Sequence, residues 1–158
     1  MNVDKKNMRL AIAEAWKAYN EGEVPIGAVL TDENGILICA DHNRMKQLND
    51  ATAHAEMLVL RAASKKIASQ ILSNCTLYST VEPCPMCAGA LVLCRVKNLV
   101  YGATDSKFGA AESLFNIVDN KFLNHRLNVT AGILENECLE IIKNFFAERR
   151  QENFGRFR

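Results

Sequence analysis

Two short stretches decide how the middle of this chain folds and what it can bind: TAHAE at residues 52–56 and EPCPMC at residues 82–87. Together they supply one histidine and two cysteines, His54, Cys84 and Cys87. These residue types form the ligand set of a catalytic zinc ion whose fourth position stays open. Glu56 is a carboxylate left over for proton transfer. The two stretches therefore predict metal-assisted hydrolysis.

The chain between and around these stretches predicts a helix, a strand and a second helix. Thr52 can cap a helix that runs from about residue 53 to residue 66. Residues 75–79 (CTLYS) have the composition of a short strand. Pro83 suits the first position of the next helix, where a missing N–H costs nothing, and this helix should run to about Cys94.

Upstream, the sequence predicts a helix followed by a β-hairpin. In residues 4–21 apolar side chains recur at three- and four-residue steps, which is typical of an amphipathic helix. The apolar runs at residues 24–30 and 36–39 flank Asn34 and Gly35. Asn-Gly between two apolar runs is a strong hairpin signal, so we expect these runs to pair antiparallel.

Downstream, residues 98–101 and 127–130 predict two more strands, and residues 135–150 predict a final amphipathic helix. The resulting order of elements is α-β-β-α-β-α-β-β-α. It predicts an α/β fold, a three-layer α-β-α sandwich with one mixed five-stranded sheet. We expect a single domain over residues 1–158, with a flexible basic tail at residues 151–158.

Length and composition narrow the class of protein. A chain of 158 residues that is 49% hydrophobic buries roughly 70% of its unfolded surface in one core. A net charge of +1 gives no global field, so a nucleic acid would need a local basic patch. Neither a signal peptide nor a long apolar span is evident, so we expect a cytoplasmic protein without a membrane partner.

The spacing of the candidate ligands constrains where a metal can lie. Cys84 and Cys87 are three residues apart in a first helical turn, so their sulfurs share a face, and the helix N-terminus favours thiolates. Glu56 would lie roughly 200° around the helix from His54. Both reach one site only if the metal lies beyond the mouth of the helix. We therefore predict a site at the N-terminal mouths of two helices.

Other interpretations compete for these residues. Taken alone, Cys84 and Cys87 also suit a redox pair or a structural zinc, but a redox pair needs no upstream His-x-Glu. The remaining cysteines have no partner at ligand spacing and are predicted to be structural: Cys39, Cys75, Cys94 and Cys138. His42 is expected in a solvent-facing loop. Asn43, by itself, suggests a turn residue.

Several stretches resemble a known family. HAE at residues 54–56 and PCPMCAGA at residues 83–90 resemble the signature of the cytidine/deoxycytidylate deaminase superfamily. Narrower similarity, covering nearly the whole chain, is to the bacterial tRNA-specific adenosine deaminase family. It lies in residues 24–29, 43–44, 102–111, 113–114, 124–126 and 145–150.

This resemblance implies a cytidine deaminase-like fold and hydrolysis of the wobble adenosine of an arginine tRNA to inosine, with release of ammonia. It implies one zinc ion per subunit on His54, Cys84 and Cys87, with Glu56 as the proton shuttle. It also implies that the anticodon stem-loop binds to a homodimer whose subunits jointly form the RNA-binding surface.

The resemblance further assigns substrate contacts. Asn43 and the backbone of Ala55 would recognise the flipped base, and Asp105 and Lys107 would touch flanking nucleotides. His125 and the last helix, with Arg149 and Arg150, would lie nearby. Glu112 departs from the family, which more often has a glycine there, and so places an anion near the RNA surface. Phe108 either stacks on a base or covers apolar surface.

Two other functions use parts of the same pattern. A small-molecule deaminase acting on guanine, cytosine or deoxycytidylate would share every catalytic residue. A zinc-scaffolded RNA-binding module without activity would have no use for Glu56. The composition of residues 153–158 (NFGRFR) suits either stacking on single-stranded RNA or a frayed terminus.

Overall fold

Residues 2–156, the part of the chain that the computed structural model describes, form four helices and five strands in the predicted order. Phe157 and Arg158, at the end of the predicted basic tail, lie outside the described residues. The elements are α1 (Val3–Asn20), β1 (Gly27–Thr31), β2 (Leu37–His42), α2 (Ala55–Ile67), β3 (Thr76–Val81), α3 (Pro85–Leu93), β4 (Asn98–Ala103), β5 (Asn128–Thr130) and α4 (Glu135–Gly155). None of the helices in this part of the chain is long and apolar enough to span a membrane.

The strands form the predicted mixed five-stranded sheet. Their spatial order is β2-β1-β3-β4-β5. The strand β1 pairs antiparallel with both β2 and β3, whereas β3, β4 and β5 run parallel. The α3 crossover connects β3 to β4, as parallel neighbours require.

Helices cover both faces of this sheet, which confirms the three-layer fold. On one face Val29, Tyr78 and Val100 pack with side chains of α1 and α4. On the other face Leu30, Leu77 and Leu99 pack with side chains of α2 and α3. Because successive strand residues point to opposite faces, β1 is buried at all five positions.

The predicted hairpin is present, although its first strand begins later than predicted. Asp32 Oδ1 accepts the N–H groups of Asn34 (2.8 Å) and Ile36 (2.9 Å), and Gly35 takes the positive φ of 75° that closes the turn. Residues 24–26 form a turn, with the Ile26 N–H donating to the Val24 carbonyl, so β1 starts at Gly27.

The predicted starts of α2 and α3 are wrong by two residues each. Thr52 does not cap α2, because its N–H and hydroxyl both donate to Asp50 Oδ1 (2.8 and 2.7 Å) in a preceding turn. His54 is the N-cap instead. In α3 the N-cap is Cys84, and Pro85 rather than Pro83 takes the first helical position.

The predicted solvent-facing position of His42 is wrong as well. His42 ends β2 and is 2% exposed, because the strand continues far enough to pair it with Gly27. Its Nδ1 lies 2.8 Å from Glu14 Oε2 and its Nε2 lies 2.8 Å from Glu21 Oε2. Both ring nitrogens therefore contact a carboxylate, and these contacts tie β2 to α1 and to the turn that follows it.

Helix α4 is longer than predicted. It continues from Glu135 to Gly155, past the predicted end at residue 150. The segment predicted as a basic tail therefore begins within α4.

Candidate metal centre and active site

The site forms where the N-terminal ends of α2 and α3 meet. His54 is the N-cap of α2, Cys84 is the N-cap of α3, and Cys87 lies in the first turn of α3. His54 Nδ1 is 3.5 Å from Cys84 Sγ and 3.5 Å from Cys87 Sγ. The structure thus brings together the three side chains that the sequence proposes as metal ligands.

The spacing of these donor atoms fits a tetrahedral metal ion. All three lie within 4.8 Å of one another. A tetrahedral zinc with ordinary Zn–S and Zn–N bonds would separate a sulfur from a nitrogen by about 3.6 Å, close to the observed 3.5 Å. Two thiolates and an imidazole are also the donors that suit zinc.

A second cluster, Glu14, Asp41 and His42, has comparable spacing but different chemistry. Its carboxylates already pair with cations: Lys17 binds Glu14, and Arg44 Nε lies 2.7 Å from Asp41 Oδ1. This cluster is an ion-pair network within the fold.

The two thiols at the site have pKa values shifted in opposite directions. A hydrogen bond from Cys87, reinforced by His54, lowers the pKa of Cys84 to about 4. The same contact with Cys84, together with burial, raises the pKa of Cys87. Hydrogen bonding to Cys84 raises the pKa of His54. The group therefore concentrates negative charge beside an imidazole, which favours a bound cation.

Glu56 lies directly behind this cluster. It is in the first turn of α2, is 4% exposed, and places Oε2 3.7 Å from Cys87 Sγ. The Ser79 hydroxyl lies 3.2 Å from Glu56 Oε1 and 2.7 Å from the Val81 carbonyl. Burial raises the pKa of the Glu56 carboxyl, so this group holds a proton more readily than an exposed glutamate.

The extended backbone of His54 resolves the angular problem posed by its spacing to Glu56. Its φ and ψ are −69° and 150°, so the helical rotation of 100° per residue does not apply between His54 and Glu56. Both side chains approach the same point in front of α2. The candidate site lies at the mouths of the two helices, as the sequence predicts.

A cavity of about 540 Å³ opens onto this point. His54, Glu56 and Cys84 line its inner end, and Glu82 and Asp105 contribute further polar side chains. Apolar walls are supplied by Ile26, Met45, Val81, Met86 and Phe108. A mainly apolar cavity with a few convergent polar groups is the usual form of a small-ligand site.

The residues proposed for base recognition lie beside this cavity. Asn43 is 4% exposed, and its side chain donates to the Val24 carbonyl at 3.2 Å and accepts the Met45 N–H at 3.2 Å. Those contacts hold the turn after β2, and Asn43 is not itself among the residues that line the cavity. Ala55 is fully buried at the first position of α2.

The segment after β4 forms one rim of the cavity. Asp105 Oδ1 accepts the N–H groups of Lys107 (2.9 Å) and Phe108 (3.1 Å), which sets a tight turn. Asp105 and Phe108 line the active-site cavity and also a neighbouring cavity of about 440 Å³ against α4. Lys107 is exposed and lines the neighbouring cavity.

The other proposed RNA contacts do not line the cavity that holds Glu56. His125 Nε2 lies 2.7 Å from the Val96 carbonyl. Arg149 donates to the Gly22 carbonyl at 2.9 Å and lies over the Phe145 ring. Arg150 is exposed on α4.

Sequence reasoning missed Glu82, which is 3% exposed and accepts hydrogen bonds from the segment after β4. Burial alone would raise its pKa, but hydrogen bonds from Ser113, Asp105 and Glu112 outweigh that and lower the pKa of the Glu82 carboxyl. In the sequence, Glu82 precedes the candidate metal ligands of the EPCPMC stretch. Nothing in that stretch predicts its hydrogen bonds to the segment after β4.

Comparison with known proteins identifies the family. The MafB19-like deaminase family model matches residues 2–150. The tRNA-specific adenosine deaminase of Haemophilus influenzae is 46% identical over 149 residues, covering 94% of this chain and 86% of that protein. The Bacillus subtilis protein of the same name is 46% identical over 152 residues, covering 96% of this chain and 94% of its own length.

Solved structures show the same relationship. A structure from a study of A-to-I editing by tRNA:A34 deaminases is 43% identical, covers 86% of this chain and 98% of its own, and has a TM-score of 0.82. A guanine deaminase from Nitrosomonas europaea is 26% identical, covers 90% of this chain and 84% of its own, and has a TM-score of 0.79. From its sequence, its fold and its cluster of His54, Cys84 and Cys87, the chain belongs to the tRNA-specific adenosine deaminase family.

Proposed function

We propose that this chain is a zinc-dependent enzyme that hydrolyses the wobble adenosine of an arginine tRNA to inosine and releases ammonia. The observation that carries the proposal is the buried Glu56 carboxylate beside the His54, Cys84 and Cys87 donors, at the inner end of a cavity. The names of the relatives at 46% identity support the choice of tRNA as substrate.

His54, Cys84 and Cys87 would hold one zinc ion per subunit. When bound there, zinc supplies Lewis-acid activation of a water molecule near neutral pH. The rest of the chemistry belongs to the side chains around it.

Glu56 would move the protons. The oxygen of water bonds to C6 of adenine, the C6–N6 bond breaks, and N6 leaves as ammonia. Of the two protons that water brings, one ends on the ring nitrogen N1 and the other leaves with the amine. A buried carboxyl with a raised pKa can accept each proton and return it, and Ser79 holds Oε1 so that Oε2 faces the donors.

The cavity walls would hold the base. A nucleobase must leave its stack to reach Glu56, and apolar side chains such as Ile26, Val81 and Phe108 can contact its faces. The Asn43 amide uses one donor on Val24 and one acceptor site on Met45. One N–H and one lone pair are therefore left for the edge of the base. The Ala55 N–H, unpaired within the helix, is a further donor.

The anticodon loop would extend from the cavity across the rim formed by Asp105 and Lys107, with His125, Arg149 and Arg150 as more distant contacts. Proteins usually read single-stranded RNA by splaying its bases and neutralising its phosphates. The exposed Lys107 and Arg150 suit the second role.

We also propose that the enzyme is a homodimer. Large apolar side chains stand exposed at the end of α3 and in the segment before β5: Leu93 is 80% exposed and Phe122 is 84% exposed. The contact of His125 with Val96 brings that segment close to the end of α3. Burial of these side chains in a second subunit would stabilise the pair.

The decisive experiment incubates the purified protein with a tRNA that carries adenosine at the wobble position. Conversion to inosine is measured by reverse transcription and sequencing, where inosine is read as guanosine. The same tRNA with another wobble nucleotide is the matched control. Metal analysis of the active protein tests for one zinc per chain.

A guanine deaminase is the second candidate, because a guanine deaminase structure shares the fold at a TM-score of 0.79 and 26% identity. The same preparation is therefore assayed for ammonia release from free guanine, with cytosine and deoxycytidylate alongside. Release of ammonia from a free base without any change in the tRNA would reject the proposed substrate.

A further inference from the structure

We propose that Glu82 is a positioning residue that holds the rim segment, residues 104–114, against the active-site cavity and so sets how the enzyme binds its substrate. The inference rests on the proposed function. Glu82 stands two residues before Cys84 and itself borders the cavity, and its carboxylate accepts hydrogen bonds from the rim segment.

One carboxylate collects five donors from this segment. Glu82 Oε1 accepts the N–H groups of Ala111 (3.3 Å), Glu112 (2.7 Å) and Ser113 (2.8 Å). Glu82 Oε2 accepts the Asp105 N–H (3.0 Å) and the Ser113 hydroxyl. Successive backbone N–H groups that converge in this way form a concave anion site, here filled by a side chain of the same chain.

Gly109 shows how closely the rim segment follows the carboxylate. A Cβ atom at this position would lie 2.2 Å from Glu82 Oε2 and 2.4 Å from the Asp105 carbonyl. Both distances are far inside van der Waals contact. The segment therefore wraps around Glu82, and Gly109 allows that approach.

The contacts continue from Glu82 to the cavity wall. Glu82 fixes the Asp105 N–H, and the Asp105 carboxylate in turn accepts the N–H groups of Lys107 and Phe108. Asp105 and Phe108 then line the cavity that holds Glu56. Displacement of the Glu82 carboxylate would therefore move the rim while leaving His54, Cys84 and Cys87 in place.

An ionised carboxylate is the side chain this position requires. It offers about four lone-pair sites and no donor. A glutamine of the same shape would turn an NH₂ group towards some of the five donors and leave them unsatisfied. Hydrogen bonds to a charged acceptor are also stronger than those to a neutral one.

The test is Glu82→Gln, with the exposed Glu33→Gln as the matched control. We expect the KM for tRNA to rise about tenfold or more, from the loss of hydrogen bonds to a charged group. We expect kcat and zinc content to stay close to wild type. Hydrogen exchange should speed up at Asp105 and at residues 111–113, and the control should change none of these.

Ser113→Ala tests the same contact without altering Glu82. It removes one donor, so the KM should rise about threefold and exchange should speed up at the same amides. This variant also decides the matter if Glu82→Gln does not fold. An unchanged KM for both variants, or loss of zinc and kcat with an unchanged KM, would overturn the inference. If the wild-type protein leaves tRNA unconverted, the proposed function is rejected. Hydrogen exchange at Asp105 and at residues 111–113 would then still test whether Glu82 holds the rim segment.

Discussion

Burial sets the chemistry of single residues in this molecule, and Glu56 is the clearest case. An exposed glutamate is ionised and hydrated, whereas Glu56 lies in the first turn of α2 with its pKa raised by desolvation. The nearby Ser79 hydroxyl fixes one oxygen and leaves the other facing the thiols. The residue is thus suited to the proton transfer that we propose for it.

Replacing Glu56 with glutamine should separate metal binding from catalysis. Glutamine keeps the shape but cannot carry a proton between water and base, so turnover should fall by roughly 10²- to 10⁴-fold. Zinc content and tRNA affinity should remain at wild-type levels, because the three donors are untouched. Metal analysis, a tRNA binding assay and inosine sequencing measure these separately. Undiminished activity would show that another group moves the protons.

His42 is the second residue whose behaviour depends on burial. His42→Leu removes one partner of a Glu14 side chain that is 11% exposed and that Lys17 still binds, which should lower the free energy of unfolding by about 2 kcal/mol. Glu21 is 43% exposed at the other ring nitrogen, so Glu21→Gln should cost less than about 1 kcal/mol. Denaturant unfolding at neutral pH measures both. Equal losses would contradict the larger contribution expected from the more buried contact with Glu14.

At the scale of elements, two helix N-termini build the site. His54 and Cys84 are both N-caps with extended backbones, and neither side chain caps its own helix. Each is therefore free to face the space between the helices. The positive ends of both helix dipoles point towards that space and favour a thiolate there, and Cys84 is the thiol whose pKa is lowered.

Packing of α1 on the sheet depends on Gly27. A Cβ atom there would lie 2.0 Å from the Ala11 carbonyl oxygen and 2.5 Å from the Ala15 nitrogen, which are backbone atoms that cannot rotate away. Gly27→Ala should therefore force α1 from β1 and destabilise the fold by at least about 3 kcal/mol. Thermal and denaturant unfolding give the measurement.

Gly155→Ala is the matched control, since within residues 2–156 no atom outside its chain neighbours and its own helix backbone lies within 4 Å of a Cβ built there. Alanine suits a helix better than glycine, so the change should be below about 1 kcal/mol and stabilising. If Gly27→Ala were equally harmless, the close approach of α1 to β1 would not depend on a glycine at this position.

At the scale of the whole molecule, the proposed dimer is open to direct test. Leu93→Asp and Phe122→Asp each place a charge on a side chain that is at least 80% exposed in one subunit. If these side chains are buried between subunits, each variant should dissociate the dimer into monomers. Light scattering coupled to size exclusion reports the mass in solution.

Ile36→Asp is the control for this experiment, because Ile36 is 61% exposed at the remote hairpin. It should leave the mass at two chains. A wild-type protein with the mass of one chain, or Leu93 and Phe122 variants that remain dimeric, would remove the proposed interface.

Much of the fold was predictable because its signals are local. The 3.6-residue period marks α1 and α4, and Asn34-Gly35 marks the hairpin. The starts of α2 and α3 were misplaced because Thr52 and Pro83 carry the usual signals of a helix start. Asp50 binds Thr52 in the preceding turn, so the extended N-cap is His54, two residues later, and the helix begins at Ala55.

By itself, the sequence determined the order of elements, the candidate metal ligands His54, Cys84 and Cys87, and the carboxylate at Glu56, because each is encoded in residues a few positions apart. Only the tertiary structure decided the role of groups whose partners are distant. Glu82 meets donors 23 to 31 residues further along the chain, and His42 meets Glu14 28 residues before it. Such contacts form when the sheet brings separate segments together, and the spacing of residues in the sequence does not predict them.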